Sequence, residues 1–428
     1  MIDKDVVKRY IVEFHYRDFS DVRRRELNVK FIENKVVCIV GPRRVGKTYL
    51  LFSLMEEPTK YLYIDFEDPI FYNSTPGDIV DILDAYRELY PEYVNPIVML
   101  DEIQVLRDWE RTVRYLLNRG IESYVTGSSS RLLSHEIATQ LRGRAITYTL
   151  FPLSFREFLR FKGIKFEGRN LYTNYSRILG SLDEYLKYGG YPEIVLKWEK
   201  ERILSEYLNV MIRRDVIERY QLRNRFLVNE LLYFTLNNYS RYISYDSLYR
   251  LFKQRLKVTK KTVINYLTYF EDSQLFFLLK RYQPSIKGRI ASPRKIYLID
   301  VGLSIMYNKD IARDMENTVY IELMRRKHYN NPLWNIYYYR NSQGYEVDFL
   351  VTEGDKVREC IQVTYANSHD EVDRREIRAL LKAREALKCR DLKVITYGYE
   401  DKVVESWYGI KEEIEYIPLW KWLLKPIS

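Results

Sequence analysis

An apolar run, Val36-Val37-Cys38-Ile39-Val40, breaks directly into Gly41-Pro42-Arg43-Arg44-Val45-Gly46-Lys47-Thr48. The run predicts a buried strand, the glycines a tight loop, and the residues from Lys47 onward the start of a helix. In that succession, backbone N–H groups of the loop and of the helix start converge on an anion. The octet fits G-x-x-x-x-G-K-[ST]. In that pattern the lysine reaches the β- and γ-oxygens of a nucleotide, and the hydroxyl after it ligates Mg2+. Gly41, Pro42, Arg43, Arg44, Val45, Gly46, Lys47, Thr48 and the adjoining Tyr49 are therefore the expected phosphate-binding residues, with Lys47 also acting on the γ-phosphoryl group.

Four further strand-like runs follow, at 61–66, 97–100, 123–126 and 146–150, separated by segments of helical pattern. Such alternation predicts a parallel sheet with helical crossovers. The 97–100 run ends in Asp101-Glu102, at the strand edge where open α/β sheets bind ligands. Asp101 is expected to share Mg2+ with Thr48, and Glu102 to polarise the attacking water. After the 123–126 run come Gly127-Ser128-Ser129-Ser130, a hydroxyl-rich turn. Ser128 is the first choice to sense the γ-phosphate and Thr126 the second. Leu141-Arg142-Gly143-Arg144 offers Arg142 or Arg144 to stabilise charge on the γ-phosphoryl group, in the same chain or from a neighbouring subunit. For either arginine, a solvated basic loop is the competing reading.

Composition narrows the partners. Lys and Arg number 69 against 59 Asp and Glu, a net of +10. Nearly all of this excess falls in residues 241–300, where 13 basic residues meet 4 acidic ones, a net of +9. The same region reads as three helices followed by two strands, a winged-helix pattern. The helix spans are 227–236, 245–252 behind Ser244, and 260–272 behind Thr259; the strands are 275–279 and 295–299. Lys257, Lys260 and Lys261 bracket the presumed recognition helix. Lys287 and Arg289 flank the wing, with Lys280, Arg281, Arg294 and Lys295 beside them. A surface of this kind contacts phosphates and loses affinity with salt. Three scattered cysteines and four histidines give neither a disulfide pattern nor zinc-ligand spacing. No window holds the roughly 18 uninterrupted apolar residues of a membrane span, and the N-terminus is polar, so a cytoplasmic protein is expected.

Together these residues resemble the AAA-type P-loop ATPases of archaea and bacteria. The likeness is closest to a prokaryotic group marked by G-P-R-x-x-G-K-T, L-D-E-I-Q, T-G-S-S, L-x-G-R and P-L-S-F-x-E-F. In this chain these stand at 41–48, 100–104, 126–129, 141–144 and 152–158, and Tyr188-Gly189-Gly190-Tyr191-Pro192-Glu193 and Arg213-Arg214-Asp215-Val216 match further signatures. The resemblance implies ATP rather than GTP, and the absence of an N-K-x-D motif agrees. It also implies a helical lid, to which Arg213 and Arg214 would belong, although a surface basic pair is the simpler reading of them.

Beyond residue 315 the order helix, three strands, helix, strand resembles the PD-(D/E)xK nucleases. Asp348 matches their metal-binding aspartate, and Glu316 or Glu322 their helix acid. The third strand departs from that pattern, with Gln362-Val363-Thr364 where the family has acid-x-Lys. Gln362 brings no charge to a metal, and Thr364 no ammonium. Glu359 falls on the opposite strand face. The domain is therefore expected to bind rather than cleave.

The expected fold class is α/β: a P-loop NTPase parallel sheet with a helical lid, a winged helix and a C-terminal α/β restriction-endonuclease-like domain. The boundaries are 1–160, 161–225, 226–300 and 301–428. The expected activity is Mg2+-dependent ATP hydrolysis that switches a protein bound to double-stranded or branched DNA, with assembly into a homo-oligomer open and no membrane partner. The alternatives are an ATP-controlled protein–protein switch and an ATP-fuelled nuclease.

Overall fold

The computed structural model describes residues 2–128, 141, 143–283, 285–307 and 309–426. It divides into two compact units. One holds residues 1–151 with 272–274, the other holds residues 152–271 and 275–428.

The first unit is built on a five-stranded sheet: β1 (Val36–Val40), β2 (Tyr61–Asp65), β3 (Ile97–Asp101), β4 (Ser123–Gly127) and β5 (Ala145–Thr149). The strand order is β2-β3-β4-β1-β5, and every pairing is parallel. The expected strands agree to within about one residue at each end. Every residue of β1 is buried, as a continuous apolar run in a sheet covered on both faces requires. The helix Lys4–His15 buries Val7, Tyr10, Ile11 and Phe14, a helical stripe. Asp3 caps it, accepting from the N–H groups of Asp5 and Val6. Phe14 stacks on Tyr63 of β2 at 4.6 Å between ring centres. The helices Ile79–Leu89 and Trp109–Asn118 bury Ile82, Leu83 and Tyr86, and Val113, Leu116 and Leu117. Because the strands are parallel and β4 lies between β1 and β3, the C-terminal ends of all three share one edge of the sheet.

The second unit opens with short helices. Phe155–Phe161 starts from a capping box: Glu157 N–H donates to Ser154 Oγ at 3.1 Å, and Ser154 N–H to Glu157 Oε2 at 2.9 Å. The helix Lys200–Val210 runs on as a π-helical stretch, Met211–Glu218. Three helices follow, Arg225–Asn237, Tyr245–Lys253 and Lys260–Asp272. With them goes a small antiparallel sheet of β6 (Tyr242–Ile243), β7 (Phe276–Leu279) and β8 (Arg294–Leu298), in the order β6-β8-β7. Two features differ from the expectation. The two-residue strand β6 adds a third member to the sheet, and a helix, Ile286–Ala291, lies in the connection between β7 and β8.

The long helix Ile311–Tyr329 leads into a mixed six-stranded sheet. Its strands are β9 (Trp334–Arg340), β10 (Glu346–Glu353), β11 (Lys356–Val363), β12 (Leu392–Thr396), β13 (Asp401–Trp407) and β14 (Ile410–Pro418). The order is β13-β14-β12-β11-β10-β9, parallel at β11/β12 and β12/β14 and antiparallel elsewhere. The helix Arg374–Leu387 buries Ile377, Leu380 and Leu381 in a core that includes Val347, Leu350, Val394 and Ile414. The helix Leu419–Leu424 buries Trp420 and Trp422. Among the described residues no helix is long and apolar enough to cross a membrane. All three cysteines are buried and free.

Candidate nucleotide-binding site

The loop after β1 is shaped by two close approaches. A Cβ on Gly41 would lie 2.6 Å from the Leu150 carbonyl oxygen, so only glycine fits there. Gly46 is left-handed at φ 95°, directly before the helix Lys47–Phe52, a conformation glycine adopts without a steric penalty. Arg25 holds the loop from behind, donating to the carbonyls of Val45 at 2.9 Å and Phe151 at 2.7 Å.

Lys47 is 4% exposed. Its ammonium donates to the carbonyls of Gly41 and Pro42, each at 3.4 Å, and pairs with Glu102 Oε1 at 3.2 Å. Thr48 Oγ1 donates to Asp101 Oδ2 at 2.6 Å, and Tyr63 OH to the same oxygen at 2.9 Å. Thr126 Oγ1 donates to the other Asp101 oxygen and accepts from Glu102 N–H at 3.0 Å. The octet, the acid pair and the end of β4 thus meet at the common sheet edge.

Electrostatics separates the two acids. Burial, and then the neighbouring Glu102 charge, raise the Asp101 pKa. Burial works in the same direction on Glu102, but Lys47, the Gln104 amide and Arg43 together hold it below the ordinary carboxylate value. Asp65, paired with Asp101 in the sheet register, is raised to about 6 by burial and by its acidic neighbours. Glu102 itself is left-handed, at φ 49° and ψ 46°, a strained conformation for a side chain of its size and one that recurs at functional sites.

The donor set fits Mg2+, a hard cation that takes oxygen ligands. Thr48 offers a hydroxyl and Asp101 a carboxylate, and the surrounding acids outnumber Lys47 and Arg43. Gln104 adds a second polar feature. Its amide donates to Glu102 Oε2 and, at 3.3 Å, to Ser128 Oγ. Its Oε1 is buried with no hydrogen-bond partner among the described residues.

Several expected residues fall elsewhere. Arg144 does not reach the octet in its own chain. Its carbonyl accepts from Val36 N–H at 3.0 Å, and its guanidinium donates to Asn118 at 3.0 Å. It therefore sits at the start of β1, about 16 Å from the loop at the strand's other end. Arg142, Ser129 and Ser130 lie outside the described residues. Ser128 is buried and tied to Gln104, whereas Thr126, the second choice, touches both acids. Arg43 pairs with Glu67 at 3.3 Å. Arg44 takes a left-handed φ of 66°, and Tyr49 is 60% exposed. Gln104 closes the L-D-E-I-Q motif but was given no role from the sequence, and Arg25 and Tyr63 carried no signal there.

In the second unit, Arg213 and Arg214 are exposed and share Glu218. Lys257, Lys260, Lys261 and Lys287 are exposed and Arg289 is half-buried. Lys260 pairs with Asp246 at 2.7 Å, and Arg289 donates to the Gln283 carbonyl at 2.6 Å. Lys295 is a correction: it is 4% exposed and bound to carboxylates, so it contacts no phosphate backbone. Glu316 meets Asp348 through that lysine. Glu322, the other candidate helix acid, instead sits among Arg156, Arg325 and Arg326. Gln362 Oε1 accepts from Asp348 N–H at 3.3 Å, and Thr364 N–H donates to the Ile395 carbonyl at 3.0 Å.

Residues 33–159 match the family model of an AAA domain, so the first unit is an AAA-type P-loop domain. Residues 179–311 and 313–422 match two domains of unknown function, DUF8612 and DUF4143. The chain is 36% identical to the uncharacterized protein MJ1544 of Methanocaldococcus jannaschii over 99% of this chain and 96% of that one, and it belongs to the same family. An uncharacterized protein of Haemophilus influenzae is 28% identical over 86% of this chain and 89% of its own length. Among solved structures, the Walker-type ATPase paby2304 of Pyrococcus abyssi aligns with a TM-score of 0.40 at 14% identity, covering 71% of this chain and 95% of that one. The Aeropyrum pernix ORC1 protein, solved in complex with DNA, aligns with a TM-score of 0.30 at 13% identity, covering 76% and 94%.

Proposed function

We propose that the protein binds ATP with Mg2+ at the β1 loop, hydrolyses it, and uses the nucleotide state to switch a DNA-binding second unit. The observation that carries the nucleotide part is the convergence of Lys47, Thr48, Asp101, Glu102 and Thr126 within hydrogen-bonding distance on one sheet edge. Thr48 and Asp101 would hold Mg2+, which when bound neutralises charge on the phosphate oxygens. Lys47 leaves Glu102 and the loop carbonyls to take the β- and γ-oxygens. Glu102, with the Gln104 amide and Arg43 still beside it, accepts a hydrogen bond from the attacking water and draws its proton. The open acceptor of Gln104, beside Glu102, orients the same water. Thr126 couples the two acids, so a change at one is felt at the other.

The DNA part rests on charge. Lys257, Lys260, Lys261 and Lys287, with Arg289 at the edge, are the proposed phosphate contacts of a winged-helix-like region at 226–300. The segment 161–225 is proposed as the lid, and residues 301–428 as a nuclease-like domain that does not cleave. One experiment tests the whole reading: ATP turnover with Mg2+, alone and with duplex, branched or single-stranded DNA at several salt concentrations. Saturable turnover, stimulated by DNA and weakened by salt, is expected. Absence of ATP binding refutes the nucleotide reading. Turnover untouched by every DNA refutes the coupling and leaves the protein–protein switch.

A further inference from the structure

The acidic residues that liken the C-terminal domain to a metal-dependent nuclease close around a lysine. Lys295 comes from β8, outside that domain. Its Nζ lies 2.9 Å from Glu316 Oε1, 2.8 Å from Glu346 Oε1 and 2.9 Å from Asp348 Oδ1. The ammonium donates to Glu316 and Asp348 and faces Glu346 as an ion pair, so all three carboxylates meet one cation. Two of these acids have a further partner each. Tyr297 OH donates to Glu316 Oε1 at 2.5 Å, and Val363 N–H donates to Asp348 Oδ2 at 3.1 Å. The Gln362 amide oxygen is turned to the Asp348 N–H, so it is not free as a ligand.

A divalent cation at this place needs charged oxygens at about 2.0–2.6 Å on several sides. The Asp348 and Glu316 oxygens that would supply them face the ammonium, and the third strand brings an amide where the nucleases bring a carboxylate. Among the described residues no group of three or more His, Cys, Asp or Glu side chains is arranged to hold a metal ion. The nuclease-type metal therefore does not fit.

We propose that Lys295 is a built-in cation that fills the metal position, turning the Asp348 site into a staple between β8 and the mixed sheet. The lysine lies in the segment matched by one domain family, and its three carboxylates lie in the next. The staple thus joins two regions that the sequence presents as separate. It also explains why a strand carrying Gln362 and Thr364 can keep Asp348 and Glu316: their partner is an ammonium, which asks for charge and hydrogen-bond acceptors but not for a complete metal shell.

The test is Mn2+ binding to full-length, nucleotide-free protein, followed by calorimetry and by the electron-spin signal of free Mn2+. Four proteins are compared: wild type, Asp348→Asn, Lys295→Met, and Lys295→Met with Asp348→Asn. Wild type and Asp348→Asn should bind Mn2+ equally. Lys295→Met should gain one bound ion, and the double variant should lose it again. Mn2+ uptake by wild type that depends on Asp348 overturns the proposal, as does a folded Lys295→Met that gains nothing. If Lys295→Met does not fold, the comparison of wild type with Asp348→Asn decides alone. Any Mn2+ taken up at Thr48 and Asp101 is common to all four proteins, so failure of the nucleotide reading would not be mistaken for failure of this one.

Discussion

Glutamine at position 102 should separate ATP binding from ATP hydrolysis, and should tighten the binding. The Lys47 ammonium is engaged by Glu102 at 3.2 Å. At an effective dielectric of about 20, two unit charges at that distance attract by about 5 kcal/mol before desolvation is counted. Both groups are largely buried, so most of this is offset by lost hydration. A charge-assisted hydrogen bond of this kind leaves a net of about 1.5–3 kcal/mol. Lys47 must give up that bond to reach phosphate, and a glutamine competes for it far less. ATP affinity should therefore rise roughly 10- to 100-fold, since about 1.4 kcal/mol is tenfold. Turnover should fall about 10²- to 10⁴-fold, the usual worth of a positioned general base. Titration with a fluorescent ATP analogue in Mg2+ measures the first effect, and single-turnover phosphate release the second. A Glu102→Gln protein that hydrolyses ATP normally would remove Glu102 from the reaction. One that binds ATP more weakly than wild type would show that the Lys47–Glu102 pair does not compete with phosphate.

Two other perturbations probe the frame around the sites. Gly41→Ala would set a Cβ 2.6 Å from the Leu150 carbonyl oxygen, where the β1–β5 ladder leaves the backbone little room. A loss of about 1–3 kcal/mol is expected, read as a lower melting temperature with weaker ATP binding; wild-type values in both would show that the loop yields freely. Glu322 is fully buried among Arg325, Arg156 and Arg326, which outweigh the effect of burial and hold its carboxyl down to about 2 from an ordinary 4.5. Because the folded value is depressed, this carboxylate contributes stability above about pH 5 and loses it as pH falls toward 2, in total about 3 kcal/mol. Glu322→Gln should cost about 3–5 kcal/mol at pH 7 by stranding the guanidinium groups. It should also flatten the decline in stability between pH 5 and 3, which denaturant melts across that range would detect.

Much of the first unit was legible because its signals are local. A strand covered on both faces is apolar throughout, so β1 stands out as a run, and β2 and β3 nearly so, whereas the edge strand β5 is only half-buried and shows as a β-branched stretch; the glycine loop and acid pair mark the ends of two of the strands. Elements with weaker local signals were not foreseen. The hairpin of β13 and β14 alternates charged and apolar residues and is exposed along much of its length. The two-residue β6 exists only because β8 pairs with it. Within the nucleotide site the motifs named Lys47, Thr48, Asp101 and Glu102. They ranked Ser128 above Thr126 as the γ-phosphate sensor; in the structure Thr126 bonds both acids and Ser128 accepts from Gln104, an arrangement that a turn rich in hydroxyls does not reveal.

Lys295 and Arg144 show the limit most clearly. In the sequence, Lys295 is one more charge in a basic stretch, and its three partners lie 21 to 53 residues further on. Arg144 sits in a segment whose pattern suggests a phosphate contact, yet the parallel register sets it at the end of β1 away from its own chain's loop. The phosphate loop, the parallel sheet beneath it and the two acids at its edge can be read along the chain, because backbone conformation and strand burial are written in neighbouring residues. Which charge meets which cannot be read that way. A buried ion pair is set by the register of strands far apart in the chain, and the same lysine is a solvated cation or an internal one according to which carboxylates the fold brings to it.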